Sequence, residues 1–223
     1  FVASHTEAPM MTPIGLTDLG QTLAMAGFDV DLIPYGQAVT AADLEDAGLV
    51  FVPPVVDYPS QRGDPSVYDE VWGEDEIQAI EDYVSGGGLL VLANSTHRLK
   101  FGNRMVDDNE DWRSLNALSE RFGISYRFGS VYNRLFFVEK KGHPLVERVS
   151  YQELLPGNAV PIQMEEGQVL AWADGKIVIG LVDYGDAGGQ VLALADLGLL
   201  GNDAGMPRSL KLWQNLAQYA RSR

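Results

Sequence analysis

The chain has no cysteine among its 223 residues, which excludes disulfides, thiolate metal sites and a cysteine nucleophile together. It has no apolar run near the ~18 residues needed to span a bilayer. Cationic side chains are scarce: 16 Lys and Arg face 31 Asp and Glu, for a formal net charge of −15. That surplus opposes binding to phosphate backbones and to anionic lipid surfaces, so neither nucleic acid nor membrane insertion is expected. The phosphate-cradling patterns G-x-G-x-x-G and G-x-x-x-x-G-K-[ST] are missing as well, which leaves nucleotide binding of those kinds unsupported.

What is present is an ordinary globular composition. Hydrophobic residues make up 46%, enough for a full core, and no composition break marks a second domain, so residues 1–223 are expected to form one domain. Phe1 opens inside a strand-like stretch. The chain therefore reads as a piece of a longer protein, with an extracytoplasmic or cell-surface setting preferred.

Through the first 130 residues, strand-like and helix-like patterns alternate. Phe1 to Ser4, Phe28 to Ile33, Gly48 to Pro54 and Leu89 to Ala93 read as strands, the third apolar enough to be buried on both faces. Between them, Leu16, Leu19 and Leu23 mark one helix closed by Gly27. Ile77, Ile80 and Val84 mark another, opened by Glu74, Asp75 and Glu76 at the positive end of its dipole and stopped at Gly86. Residues 58–71, with prolines and charges, read as a long surface loop.

A helix over about 111–122 carries Trp112, Leu115, Leu118 and Phe122 and stops at Gly123. From Ile124 to Leu194 the pattern changes to successive strands, with a hairpin turn at Asp174-Gly175. A closing helix runs from Pro207 to Arg221. This order predicts an α/β fold with a mostly parallel sheet, helices on both faces and antiparallel hairpins added near the C-terminus.

In open parallel sheets, ligands bind beyond the carboxyl ends of the strands. That rule selects His5 and Glu7 after the first strand, Asn94, Ser95 and His97 after the fourth, and Asp196 and Asn202 after the last. Ser95 could sit at the apex of a strand-to-helix turn like a nucleophile elbow, but Asn94 and Thr96 replace the small flanking residues such an elbow needs; a turn serine bonding backbone groups is the plainer role. His5 and Glu7 alternate on an extended segment and would face one way, so with His97 or Asp196 they could complete a metal site. On their own they fall short of three ligands, and no metal or other cofactor is assigned. Asp196, Asn202 and Asp203 sit on a glycine-rich loop that could bond hydroxyls or simply cap the following helix. His143 precedes a proline and is expected in a loop away from this rim.

Several stretches together resemble the class I glutamine amidotransferase-like superfamily: "FVASHTEAP", "WGEDEIQAIEDYVSGGGLLVLANS", "GHPLVERV" and "LVDYGDAGGQVLALADLGLLGN". The resemblance is to the branch lacking the nucleophile, with the ThuA-like proteins and the gliding-motility and intraflagellar-transport related domains. It implies a flavodoxin-like three-layer sandwich. Enzymes of the superfamily place a Cys after the strand matching Leu89–Ala93 and a His after a late strand. Here those places read Asn94-Ser95-Thr96 and Ala195-Asp196.

The resemblance thus implies a non-catalytic domain that binds a small polar ligand, a carbohydrate among the candidates, or a protein partner or other domains of its parent chain, at the strand ends. Two alternatives stay open. One is a metal-assisted hydrolase or sugar-modifying enzyme using the same rim, with His5, Glu7 and Asp196 as ligands or acid/base groups. The other is an assembly domain whose interface is formed by the hairpins and the 58–71 loop.

Overall fold

The structure is a computed structural model that describes residues 1–6, 17–55, 71–94, 97–101, 104–108, 112–127, 136–138, 140, 142–149, 159–196 and 210–223. The described elements alternate at first: helix α1 (Thr17–Met25), helix α2 (Ala41–Leu44), strand β1 (Val50–Val52), helix α3 (Glu74–Ser85) and strand β2 (Leu89–Ala93). Strands β3 (His97–Phe101) and β4 (Arg104–Asp108) follow, then α4 (Trp112–Ser119). The remainder is β5 (Ile124–Tyr126), β6 (Phe136–Val138), β7 (Ile162–Met164), β8 (Gln168–Ala173), β9 (Lys176–Tyr184), β10 (Gly189–Leu194) and α5 (Leu210–Arg221).

Local chemistry accounts for several boundaries. Three acids fill the first turn of α3, and Gly86 closes it by donating to the Asp82 carbonyl, in keeping with the helix dipole and the loss of further amide partners. After α4 a short 3₁₀ turn ends at Gly123, whose φ of 68° is left-handed and costs glycine little. Asp174 and Gly175 both have positive φ, 50° and 69°, the backbone that a two-residue hairpin between twisted strands demands.

The main sheet has the order β1-β2-β10-β9-β7-β5, with β8 also on β9 and β6 on β8. It is mixed. β2 runs parallel to β1 and to β10, whereas β10/β9, β9/β8, β9/β7, β7/β5 and β8/β6 are antiparallel. The expectation of a mostly parallel sheet is therefore corrected to an α/β fold with a mixed sheet. The reason is chain length between strands: the turns joining β8 to β9 and β9 to β10 are too short for a crossover and force reversal.

The first residues extend the parallel part. Val2 N donates to the Phe51 carbonyl at 2.8 Å, Ala3 N to that of Ile33 at 2.9 Å, and Ile33 N to that of Phe1 at 2.8 Å. Residues 1–3 thus lie between residues 31–33 and β1, with Val2 and Ile33 forming a parallel bridge. Of the two strands expected at 1–4 and 28–33, the described backbone keeps this single bridge, because Phe28 to Leu32 make no continuous ladder.

The core lies on both sides of this centre. Every residue of β1 and β2 is buried, so both faces of these strands are covered. Helices α1 and α5 pack on each other, as do α2 and α3. Tyr83 on α3 joins helix to sheet: its hydroxyl donates to the Leu89 carbonyl at 3.2 Å and accepts from Leu89 N at 3.1 Å. No described helix is long and apolar enough to cross a membrane.

Candidate functional site

Eight polar side chains are buried among the described residues: Ser4, Thr6, Glu76, Asn94, Asn116, Ser119, Asp196 and Asn215. Three do evident structural work. Asn116 bonds both backbone groups of Tyr126, Ser119 donates to the Ile124 carbonyl, and Asn215 donates to the carbonyls of Leu145 and Glu147. The other five gather where the parallel strands end or where α3 begins.

At the end of the first segment, Thr6 Oγ1 donates to the Pro54 carbonyl at 2.8 Å, tying that segment to the residues just beyond β1. His5 is held from two sides. Its Nε2 lies 3.2 Å from Glu76 Oε2, and its ring packs on Trp72 with centroids 4.5 Å apart and planes at 53°. The Glu76 carboxylate is heavily used: Oε1 accepts from Val39 N at 3.1 Å and Oε2 also accepts from Gly73 N at 3.0 Å. One side chain in the first turn of α3 thereby fixes the approach to α2, the start of its own helix and the imidazole at the strand end. With Glu76 as acceptor, His5 Nε2 carries the proton.

Asn94 and Asp196 lie at the ends of the neighbouring strands β2 and β10. The ladder pairs Leu194 with Ala93, and Asn94 N donates to the Leu194 carbonyl at 3.1 Å, so the two residues continue adjacent strands. They stand apart from His5. Strands lie about 4.8 Å apart, which puts Asn94 about 10 Å and Asp196 about 14 Å from the first segment, counted backbone to backbone. In backbone terms His5 and Asp196 thus stand at the ends of the first segment and of β10, with β1 and β2 between them.

The structure treats the other expected residues differently. Glu7, Ser95 and Asn202 lie outside the described residues, and so does most of the 58–71 loop. His97 opens β3, which pairs with β4 as a separate two-stranded antiparallel hairpin, so the element after Asn94-Ser95-Thr96 is a strand and not the helix a nucleophile elbow would lead into. Only Asn94, Ser95 and Thr96 separate it from β2, and the next element is a strand. Only Leu99 and Phe101 alternate in "HRLKF", and Met105 and Val106 are adjacent in "RMVDD", so the polar residues leave no clear strand pattern.

The carboxylate beside His5 is Glu76, on α3. Among the described residues, no three His, Asp or Glu side chains form a group able to hold a metal ion. His143 lies at the N-cap of a short 3₁₀ turn, its Nδ1 accepting from Leu145 N at 3.3 Å. Burial holds its pKa below the ordinary value, and the nearby Lys140 adds to this.

Glu76 and Trp72 are the residues that sequence reasoning missed. A signal for Glu76 existed: it stands three residues after the N-cap Gly73, the capping-box spacing. Read only as an acid favoured by the helix dipole, it gave no hint of His5.

Two sizeable cavities among the described residues lie at the opposite, amino-terminal ends of the strands. One, of about 630 Å³, is lined by Phe1, Leu23, Phe28, Ile33, Leu44 and Phe51 among others. The second, of about 430 Å³, is bounded by Tyr83, Leu89 and Ala220. Neither includes any of the buried polar side chains described above.

No protein-family model matches the chain, and no curated protein matches its sequence. Solved structures do. The N-terminal domain of mmIFT52 superposes with a TM-score of 0.65 at 11% identity, covering 99% of this chain and 96% of that one. The cytoplasmic protein STM1381 from Salmonella typhimurium LT2 gives 0.57 at 19% identity, with coverages of 92% and 86%. Gan42B, a GH42 β-galactosidase from G. stearothermophilus, gives 0.52 at 14% identity; this chain is covered to 98% but corresponds to only 27% of that enzyme. At such identities the likeness is one of fold.

Proposed function

We propose that the chain is a binding domain of the nucleophile-lacking amidotransferase-like kind, taking a small polar ligand or a partner segment at the carboxyl ends of its parallel strands. The observation that carries this reading is the concentration of buried polar side chains there: Ser4, Thr6, Asn94 and Asp196, with Glu76 reaching in from α3. Burying polar groups costs free energy unless they gain partners, so a fold keeps such a concentration where it serves a structural network or a ligand.

The sheet order supports the flavodoxin-like part of the proposal. Residues 28–33, residues 1–6, β1, β2 and β10 follow one another across the sheet in the sequence 2-1-3-4-5, a doubly wound order whose direction of winding reverses between the first and third members. His5, Thr6 and Pro54 stand at that reversal, where such folds bind their ligands. The carbohydrate-active enzyme among the structural neighbours directs the first probes to sugars. Hydrolysis by the superfamily route lacks both reagents, since the chain has no cysteine and the late strand ends at Ala195-Asp196 without histidine.

The test is thermal unfolding of residues 1–223 against a panel of neutral sugars, amino acids and dicarboxylates. A ligand at ten times its Kd stabilises by about 1.4 kcal/mol, which for a chain of this size raises Tm by roughly 3–6 °C. The shift should vanish when Ser4, Asn94 and Asp196 are together replaced by alanine in a variant that still folds. If the whole panel leaves Tm unmoved, or the shift survives in that variant, the rim is not the site. A Tm that rises with protein concentration while every compound is silent would favour the assembly reading.

A further inference from the structure

The larger cavity at the amino-terminal ends of the strands, about 630 Å³, takes no part in the strand-end reading. It falls within the roughly 300–1,000 Å³ typical of sites for small organic ligands. Its walls come from Leu23 on α1, residues 27–31 and 33, α2 and the segment leading into β1, and Phe1 and Val2. Leu23, Leu44, Val50 and Phe51 form a buried base. Phe1, Phe28, Val30, Ile33, Ala47 and Leu49 also line it, and these are only partly buried. Apolar surface that the core leaves half covered still gains free energy when an occupant excludes water from it.

The charged side chains lining the cavity all have one sign. They are Asp29, Asp31, Asp43 and Asp46, with no described Lys, Arg or His among the walls. Two of the four are already engaged. Asp43 accepts from Thr40 N at 2.8 Å and Thr40 Oγ1 at 2.7 Å, and the charge of Asp31 acts on the amino group of Phe1, which donates to the Asp31 carbonyl at 2.8 Å. Asp29 and Asp46 are exposed, so a ligand's charge can meet them.

From this combination we propose that the cavity binds an organic ammonium ion with an apolar body, of the arylalkylammonium class. The body lies against Phe1, Phe28 and Leu49, and the charge is directed to Asp29 and Asp46. This site is separate from the strand-end one, and neither depends on the other. An anion of the same shape would meet four carboxylates and the field of a chain with net charge −15, which opposes its entry. A small hydrated cation would gain the charges but leave the apolar base wet. A neutral apolar compound covers the base and forgoes the attraction, to which the rings of Phe1 and Phe28 add, since aromatic rings also attract cations.

Isothermal titration of the 223-residue chain with phenylbutylamine, phenylbutanol and phenylbutyrate tests this, because the three share one apolar body and differ in charge. The variants are Asp29→Asn/Asp46→Asn, Phe28→Leu and Asp174→Asn. The last removes an exposed carboxylate from the β8–β9 turn, beyond the opposite ends of the strands. The amine should bind, the alcohol about 10-fold more weakly for want of the ion pairs, and the carboxylate not at all. In Asp29→Asn/Asp46→Asn the amine should weaken about 5-fold, the scale of two exposed ion pairs, with the alcohol unchanged. Phe28→Leu should weaken amine and alcohol alike, and Asp174→Asn should weaken neither. Circular dichroism checks that Phe28→Leu folds; the exposed Asp pair carries the test if it does not.

Equal affinity for amine and alcohol, reduced in Phe28→Leu but untouched in the Asp pair, overturns the ammonium class and keeps an apolar site. Amine binding that ignores both the Asp pair and Phe28→Leu overturns the cavity as its place. Phenylbutyrate binding as tightly as the amine, or silence from all three compounds at millimolar concentration, overturns the proposal whole.

Discussion

Replacing Glu76 with alanine should destabilise the protein more than any other single change to a polar group near the strand ends. The carboxylate accepts from Val39 N at 3.1 Å, Gly73 N at 3.0 Å and His5 Nε2 at 3.2 Å, and the residue is 8% exposed. Hydrogen bonds to a charged group contribute about 1.5–3 kcal/mol each, and a buried donor left unmet costs about 1–3 kcal/mol. Water can reach part of this site, so the three losses do not sum fully. The loss of an acid from the first turn of α3 adds about 0.5 kcal/mol.

The expected loss is therefore about 3–5 kcal/mol, or roughly 6–20 °C in Tm for a chain of this length. Glu76→Gln should fall about midway. Its amide can accept at one position, but its NH₂ group must face a donor at the other, whichever way it is turned. Urea denaturation followed by circular dichroism measures both variants. In a double-mutant cycle with His5→Ala, the pair should show a coupling of about 1 kcal/mol or more. A loss below 1 kcal/mol for Glu76→Ala, with no coupling to His5, would mean that the carboxylate does not join the three segments and would remove the structural account of the strand-end site.

Further predictions concern the scaffold. Gly189→Ala should abolish or severely reduce folding, because a Cβ there would overlap the Val84 carbonyl oxygen and come within 2.8 Å of that of Tyr184, rigid backbone on both sides; soluble yield and Tm report it. Burial pushes the Tyr83 phenol up to about 12. The unfolded chain releases that proton first, so stability is intact below pH 10 and falls by roughly 2–3 kcal/mol between pH 10 and 12. Tyr83→Phe should flatten that part of the urea-stability profile, and an unchanged slope would refute the burial argument.

The His143 pKa is lowered, chiefly by burial, so the unfolded chain takes up the proton first as pH falls below about 6.5. His143→Gln should thus be less sensitive to acid than the parent between pH 6.5 and 5. An identical acid limb in the two proteins would rule the histidine out as the cause.

Short-range chemistry was legible in the sequence wherever one residue's preference decided the outcome. The acids opening α3, its apolar stripe of Ile77, Ile80 and Val84, the buried run Leu89–Ala93, the stop at Gly123 and the turn at Asp174-Gly175 all express periodicity, capping or positive φ. Their bounds needed little correction. The β3/β4 hairpin was not legible, because a strand rich in Arg, Lys and Asp lacks the apolar alternation that announces one. That Asn94 and Asp196 stand at strand ends follows the strand pattern of the sequence, but the contacts of His5 with Glu76 and Trp72 do not. His5 and Glu7 invited pairing by their spacing, and His97 by its place after β2.

What the sequence by itself determined was the α/β alternation and the acidic, cysteine-free chemistry. Those follow from residue identity and from contacts within a few positions. Tertiary structure alone decided that β10 lies beside β2 and β7 beside β9, that His5 meets Glu76 and Trp72, and that Asp196 stands three strands away. Such pairings join residues far apart in the chain, and their free energy depends on which strands become neighbours, a choice made by the whole core and expressed by no local pattern.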